Sequence, residues 1–176
     1  MRYLLIILLG CLPALAAAVD FDDATRHLPL GKIMQVYEDR TASATIAEVS
    51  SAEFAERFVT HKEDVLNAGY SNSVFWLRLD LRYVAPASQA ARQWLLELAY
   101  PPLDHLELYL ADARGHFKLA QRTGDALPYA SRQIQQNNYL FELPLQPGQP
   151  TTVYLRLQSE GSVQAPLTLW SVNAYM

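Results

Sequence analysis

From residue 74 onward, apolar residues recur at every second position in runs of five to ten, the period of a β-strand with two distinct faces. The segment SVFWLRLDLRY, residues 73–83, is the longest. Phe75, Leu77, Leu79, Leu81 and Tyr83 fall on one side, and Trp76, Arg78, Asp80 and Arg82 on the other. The same alternation predicts strands at 93–100, 105–111, 117–122, 139–143, 152–157 and 167–172. Pro101-Pro102 stops one run, because proline cannot donate to a ladder. Ala113-Arg114-Gly115 and Pro147-Gly148 mark turns.

Before residue 74 the pattern is mixed. Residues 33–37 and 44–49 read as short strands. Ser50, with Glu53 three residues on, reads as the capping box of one short helix over 51–60, and Phe54 and Phe58 share a face at i, i+4. Many short strands with Gly/Pro turns and a single short helix predict an all-β, antiparallel β-sandwich or jelly roll, one face against the core and the other facing water. The longest irregular stretch is the loop 124–138.

The start of the chain differs in kind. Arg2, the apolar run 4–12 and Ala16-Ala17-Ala18 have the layout of an export signal over residues 1–18, which leaves an exported domain over 19–176 and a periplasmic location. Leu8-Leu9-Gly10-Cys11 is a weak alternative, a lipoprotein signal. Cys11 is the one cysteine, so no disulfide framework exists. The formal net charge of -4 argues against nucleic acid as a partner. No later run approaches the roughly 18 apolar residues of a membrane span.

Catalytic signatures are sparse. None of His27, His61, His105 and His116 has a metal-helix spacing, and no nucleophile elbow or phosphate loop occurs, so the domain is expected not to be an enzyme. The strongest constellation is the face of Trp76, Arg78, Asp80 and Arg82, to which neighbouring strands can add His105, Glu107, Tyr109, Glu142, Tyr154 and Arg156. Aromatic rings among forked hydrogen-bonding groups suit sugar recognition. The competing reading is an ion-pair ladder of Arg78, Asp80 and Arg82, of small energetic worth. Asp80 is also a candidate calcium ligand, with Asp104, Glu107 and the group Asp20, Asp22, Asp23 as possible companions. Calcium takes six to eight oxygens, and the flanking arginines oppose it.

GYSNSVFWLRLDLRY, then WLLELAYPPLDHLELYL, then the long segment from Thr123 through YLRLQSEG to Trp170, occur in an order that resembles the 7TMR-DISMED2 sensor domains. The resemblance spans roughly residues 30–172. It implies a jelly-roll β-sandwich similar to carbohydrate-binding modules, placed ahead of seven membrane helices and a histidine kinase or diguanylate cyclase. It implies a carbohydrate-like ligand, or calcium in some members, and makes a homodimer or a partner sensor kinase plausible. Carried onto this chain, it marks Trp76, Arg78 and Arg132 as ligand-binding positions. Contact with a membrane is expected only through a transmembrane region beyond Met176. The alternative is an interaction domain that regulates a sensor kinase without a small ligand.

Overall fold

The computed structural model describes residues 18–85 and 92–176. The export signal expected over 1–18 therefore falls, save for Ala18, outside the described residues, as does Cys11. Among the described residues there are thirteen strands. They are β1 (Val19–Asp22), β2 (His27–Pro29), β3 (Gln35–Asp39), β4 (Val59–Thr60), β5 (Leu66–Tyr70), β6 (Val74–Val84) and β7 (Trp94–Leu98). They continue with β8 (His105–Ala111), β9 (Phe117–Thr123), β10 (Tyr139–Leu143), β11 (Pro150–Gln158), β12 (Ser162–Ala165) and β13 (Leu167–Ser171). Two single-turn helices accompany them, α1 (Ile46–Val49) and α2 (Val172–Tyr175).

The large sheet has the order β4-β3-β6-β11-β8-β9, with β1 also on β6. The 11-residue strand β6 organises it. One edge of β6 pairs along its length with β11. Its other edge is shared: residues 74–78 pair antiparallel with β3, and residues 81–84 pair parallel with β1. The second sheet has the order β10-β7-β13-β2, and β12-β5 forms a separate pair.

The alternation read from the sequence decides the core. Leu77, Leu79 and Leu81 of β6 join Val153, Leu155 and Leu157 of β11 in one apolar cluster. From the other sheet come Leu96 and Leu98 of β7, Phe141 of β10 and Leu169 of β13. The two sheets therefore pack face to face as an antiparallel β-sandwich, apart from the β1–β6 parallel pair. Burying each such leucine contributes about 1.5–3 kcal/mol.

Two local expectations are overturned. Residues 44–49 are not a strand, and 51–60 are not a helix: the helix is α1, and the chain after it closes in a 3₁₀ turn at Ala55–Arg57. Two Ser/Thr-x-x-Glu signals lie five residues apart, and the first one caps. The Thr45 hydroxyl accepts from the Glu48 amide, and Glu48 Oε2 accepts from the Thr45 amide at 2.7 Å. With β4 beginning at Val59, only a tight turn fits, and it still brings Phe54 and Phe58 together, ring centroids 6.2 Å apart. Strands β1, β2, β4, β5 and β12 are short or lack clean alternation, so the pattern did not reveal them.

Gly124, where the long loop leaves β9, has φ +147°, and a Cβ there would sit 1.9 Å from the Asp104 carbonyl oxygen. Gly115, in the β8–β9 turn, has φ +82° and open space around it. Gly115→Ala is therefore expected to cost about 1 kcal/mol, from backbone strain alone. Gly124→Ala is expected to cost roughly 2 kcal/mol more, because backbone must also move. Urea unfolding of the two variants measures the difference.

Candidate functional site

The outward face of the large sheet is not simply open to water. At its centre Trp76, Val74 and Tyr154 form a second apolar cluster with Val49 and Phe58, and Tyr37, Phe54, Tyr109 and Phe117 pack around it. The segment from Thr45 to Phe58 thus lies as a strap across β3, β6 and β11. Trp76, expected as an exposed platform for stacking a sugar, is only 1% exposed, and its ring meets that of Tyr109 at 5.6 Å. Alternation assigned it to the correct face and could not reveal that this face is covered.

Asp39 anchors the strap where it leaves β3. Its carboxylate is buried and accepts from the Thr41 amide at 3.1 Å, the Thr41 hydroxyl at 2.8 Å and the Ala44 amide at 2.8 Å. Burial alone would raise its pKa, but hydrogen bonds from Ala44, Thr41 and Ala42 outweigh it and hold the group below its ordinary value.

Beside the strap, polar side chains pair both along a strand and across strands. Arg78 and Asp80 are 12% and 13% exposed and form an ion pair at 3.0 Å between Nε and Oδ2. That contact is misaligned for a hydrogen bond, and Arg78 Nε is left without an acceptor. Thr152 donates to Asp80 Oδ1 at 2.5 Å. Arg82 leaves this group altogether and grips Asp20 of β1 through Nε at 2.7 Å and Nη2 at 2.6 Å. The expected three-residue ladder is therefore one pair plus a clasp on the first strand. Farther along the face, Arg122 donates to Glu107 Oε1 at 2.8 Å and Tyr109 donates to Glu107 Oε2 at 2.5 Å. Burial, then the bond to Glu107, pushes the Tyr109 phenol up to about 12, so it stays a donor at neutral pH.

Three buried polar atoms on this face make no hydrogen bond: Gln35 Oε1, Trp76 Nε1 and Arg78 Nε, the last held only by its ionic contact with Asp80. They are neighbours, since Gln35 is the cross-strand partner of Arg78, and Trp76 is two residues from Arg78 on the same side. A fourth, Trp94 Nε1, belongs to the main core. Unpaired buried groups each cost about 1–3 kcal/mol. One acceptor and two donors side by side match the hydrogen-bonding capacity of a hydroxyl group.

Residues 31–171 match the family model 7TMR-DISMED2, described as 7TMR-DISM extracellular 2. The chain belongs to that family. It is an extracellular sensor domain of a signalling protein, and no helix among the described residues is long and apolar enough to cross a membrane. A comparison with curated proteins gave no match.

Within this sensor domain Trp76, Arg78, Asp80, Glu107 and Tyr109 come together on one face. Arg132 does not join them. Its guanidinium donates to the carbonyls of Gln136 and Asn137 and lies over the rings of Tyr129 and Tyr139, at 5.0 and 4.6 Å. Arg132 thereby braces the long loop. Glu142 lies on the other sheet, because alternation gives a residue's face but not its sheet. The acids considered as calcium companions stay apart. Asp104 accepts from Ser159 and the Glu160 amide at 2.8 and 2.7 Å, and Asp23 pairs with Arg92 at 3.2 Å. Among the described residues no group of three or more His, Cys, Asp or Glu is placed to hold a metal.

Two buried acids escaped the sequence reading, Asp39 and Glu97. Glu97 of β7 accepts from Asn138 Nδ2 and Trp170 Nε1, both at 2.8 Å, and from the Tyr175 hydroxyl at 3.4 Å. It ties the long loop to α2. A lone glutamate in WLLEL gives no signal beyond being an acid in an apolar run.

The Asp39 anchor gives a prediction with a definite sign. A depressed folded pKa contributes stability that is present above the unfolded value of about 3.9 and is lost as pH falls through the folded value. Asp39→Asn is expected to lower stability at pH 7 by about 1–3 kcal/mol and to flatten the acid limb of the stability profile. Denaturant midpoints between pH 7 and 2, followed by Trp fluorescence, check both parts.

Proposed function

We propose that this domain is the periplasmic, non-catalytic input module of a sensor histidine kinase or diguanylate cyclase. In this reading it binds a hydroxylated, carbohydrate-like small ligand on the outward face of the large sheet. The observation that carries the reading is the trio of unpaired buried atoms, Gln35 Oε1, Trp76 Nε1 and Arg78 Nε. A structural polar cluster satisfies its own members, whereas a binding site holds groups whose partners arrive with the ligand. A sugar hydroxyl accepts from Trp76 or Arg78 and donates to Gln35.

The strap gives such binding a consequence. It is held to the sheet by the small cluster around Trp76 and by Asp39. A ligand seated beneath or beside it favours one strap position over another. Any difference in affinity between the two positions is the free energy available for signalling.

Calcium at Asp80 is the weaker alternative, because Asp80 already neutralises Arg78 and accepts from Thr152. Docking of a second copy or a partner sensor without a small ligand is the other.

Thermal melts with glucose, galactose, mannose and N-acetylglucosamine, and separately with millimolar calcium chloride, test the reading. At least one sugar is expected to raise the melting temperature. Gln35→Met, which removes an unpaired acceptor at similar volume, is expected to abolish that rise without lowering the ligand-free melting temperature. The reading fails if no sugar shifts the melt, or if Gln35→Met lowers the ligand-free value by several degrees and keeps the shift. A calcium shift lost in Asp80→Asn would replace it with the metal reading.

A further inference from the structure

We infer that the ligand of the outward face is acidic, a hydroxylated ring bearing a carboxylate, and that Arg156 is its cationic anchor. The inference rests on the reading that a hydroxylated ligand binds this face. Four arginines of the large sheet fall on that face, Arg78, Arg82, Arg122 and Arg156, with the carboxylates of Asp20, Asp39, Asp80 and Glu107; Asp20 holds Arg82, and Asp39 is taken up by Thr41 and Ala44. Arg78 pairs with Asp80 and Arg122 with Glu107, both at 3.0 Å or less. Glu107 accepts from Arg122 on one oxygen and from Tyr109 on the other, and makes no hydrogen bond or ion pair with Arg156. Arg156 is left over. Its side chain makes one marginal hydrogen bond, to Gln158 Oε1 at 3.4 Å, and no ion pair among the described residues.

Its position gives this unpaired group a meaning. In the ladder Arg156 lies directly between Trp76 of β6 and Glu107 of β8, and it is half-buried. The unpaired cation is therefore the cross-strand neighbour of a residue whose N–H is itself unpaired. The charged residues of the strap, Glu48, Glu53, Glu56 and Arg57, are exposed, where solvent screens them. A half-buried guanidinium with free donors takes a carboxylate through two parallel N–H···O bonds, a geometry that lysine cannot reproduce. Hydroxyls on the same molecule then reach Gln35, Trp76 and Arg78. A neutral sugar would satisfy those three and leave Arg156 unpaired. A simple anion would do the reverse.

Calorimetric titration of the protein with matched pairs that differ in a carboxylate at C6 tests this: glucose with glucuronate, galactose with galacturonate, and mannose with mannuronate. Acetate and inorganic phosphate serve as simple anions. One uronate is expected to bind about tenfold or more tightly than its parent hexose, a margin that shrinks as salt rises. Arg156→Gln is expected to bring the pair to near-equal affinity, without changing the hexose affinity or the ligand-free melting temperature, and Arg156→Lys to restore only part of the preference. Equal affinities in the wild type overturn the inference and leave the hydroxylated-ligand reading standing. So does a preference that survives in Arg156→Gln. Acetate or phosphate binding as tightly as the uronate overturns it in favour of a plain anion site. Failure of all six sugars to bind overturns both the inference and the reading beneath it.

Discussion

Strand β6 is buried on both sides over Val74–Leu77, and that double burial constrains everything around it. Its inward face, Phe75 to Tyr83, fills the main core, where a buried leucine is worth about 1.5–3 kcal/mol. Its outward face would leave Trp76 in water if nothing covered it, so the strap must dock there. The strap docks through Val49, Phe54 and Phe58, and Asp39 fixes its origin. One strand therefore ties the packing of the sandwich to the placement of the segment that overlies the candidate site.

That arrangement explains what was legible in the sequence. Period-two alternation gave the long strands and the two-sided character of β6, because side-chain direction in a strand is purely local. It gave membership of the outward face for Trp76, Arg78, Asp80, Glu107, Tyr109 and Arg156. It could not say which of two competing capping signals would be used, since Thr45 and Ser50 both precede a glutamate at the right spacing. It could not say that Arg82 would reach β1 instead of Asp80, because that partner is 62 residues away. Glu142 was placed with the site for want of knowing the sheet order, and Arg132 because the family resemblance marked it. The strap over Trp76 is a tertiary event that no alternation announces.

The charged residues of the face divide by partner instead of by position. Arg78, Arg82 and Arg122 each have a carboxylate, and the exposed Arg82–Asp20 pair adds little stability. Their effect is to leave specific atoms over: two donors and an acceptor near Trp76, and the guanidinium of Arg156. A fold optimised only for stability would have filled or removed them. Retained unpaired groups around a covered tryptophan are what a sensor domain needs if its ligand is to alter the packing of the strap.

The most direct measurement is a ¹H–¹⁵N spectrum of the indole signals while the sugars are titrated in. The chain has three tryptophans, so three signals report on three places: Trp76 under the strap, Trp94 in the core and Trp170 beside Glu97. A ligand on the outward face shifts the Trp76 Nε1–H signal strongly and leaves those of Trp94 and Trp170 nearly unmoved. Saturable binding that moves Trp170 or Trp94 and leaves Trp76 still would place the site elsewhere and contradict the account.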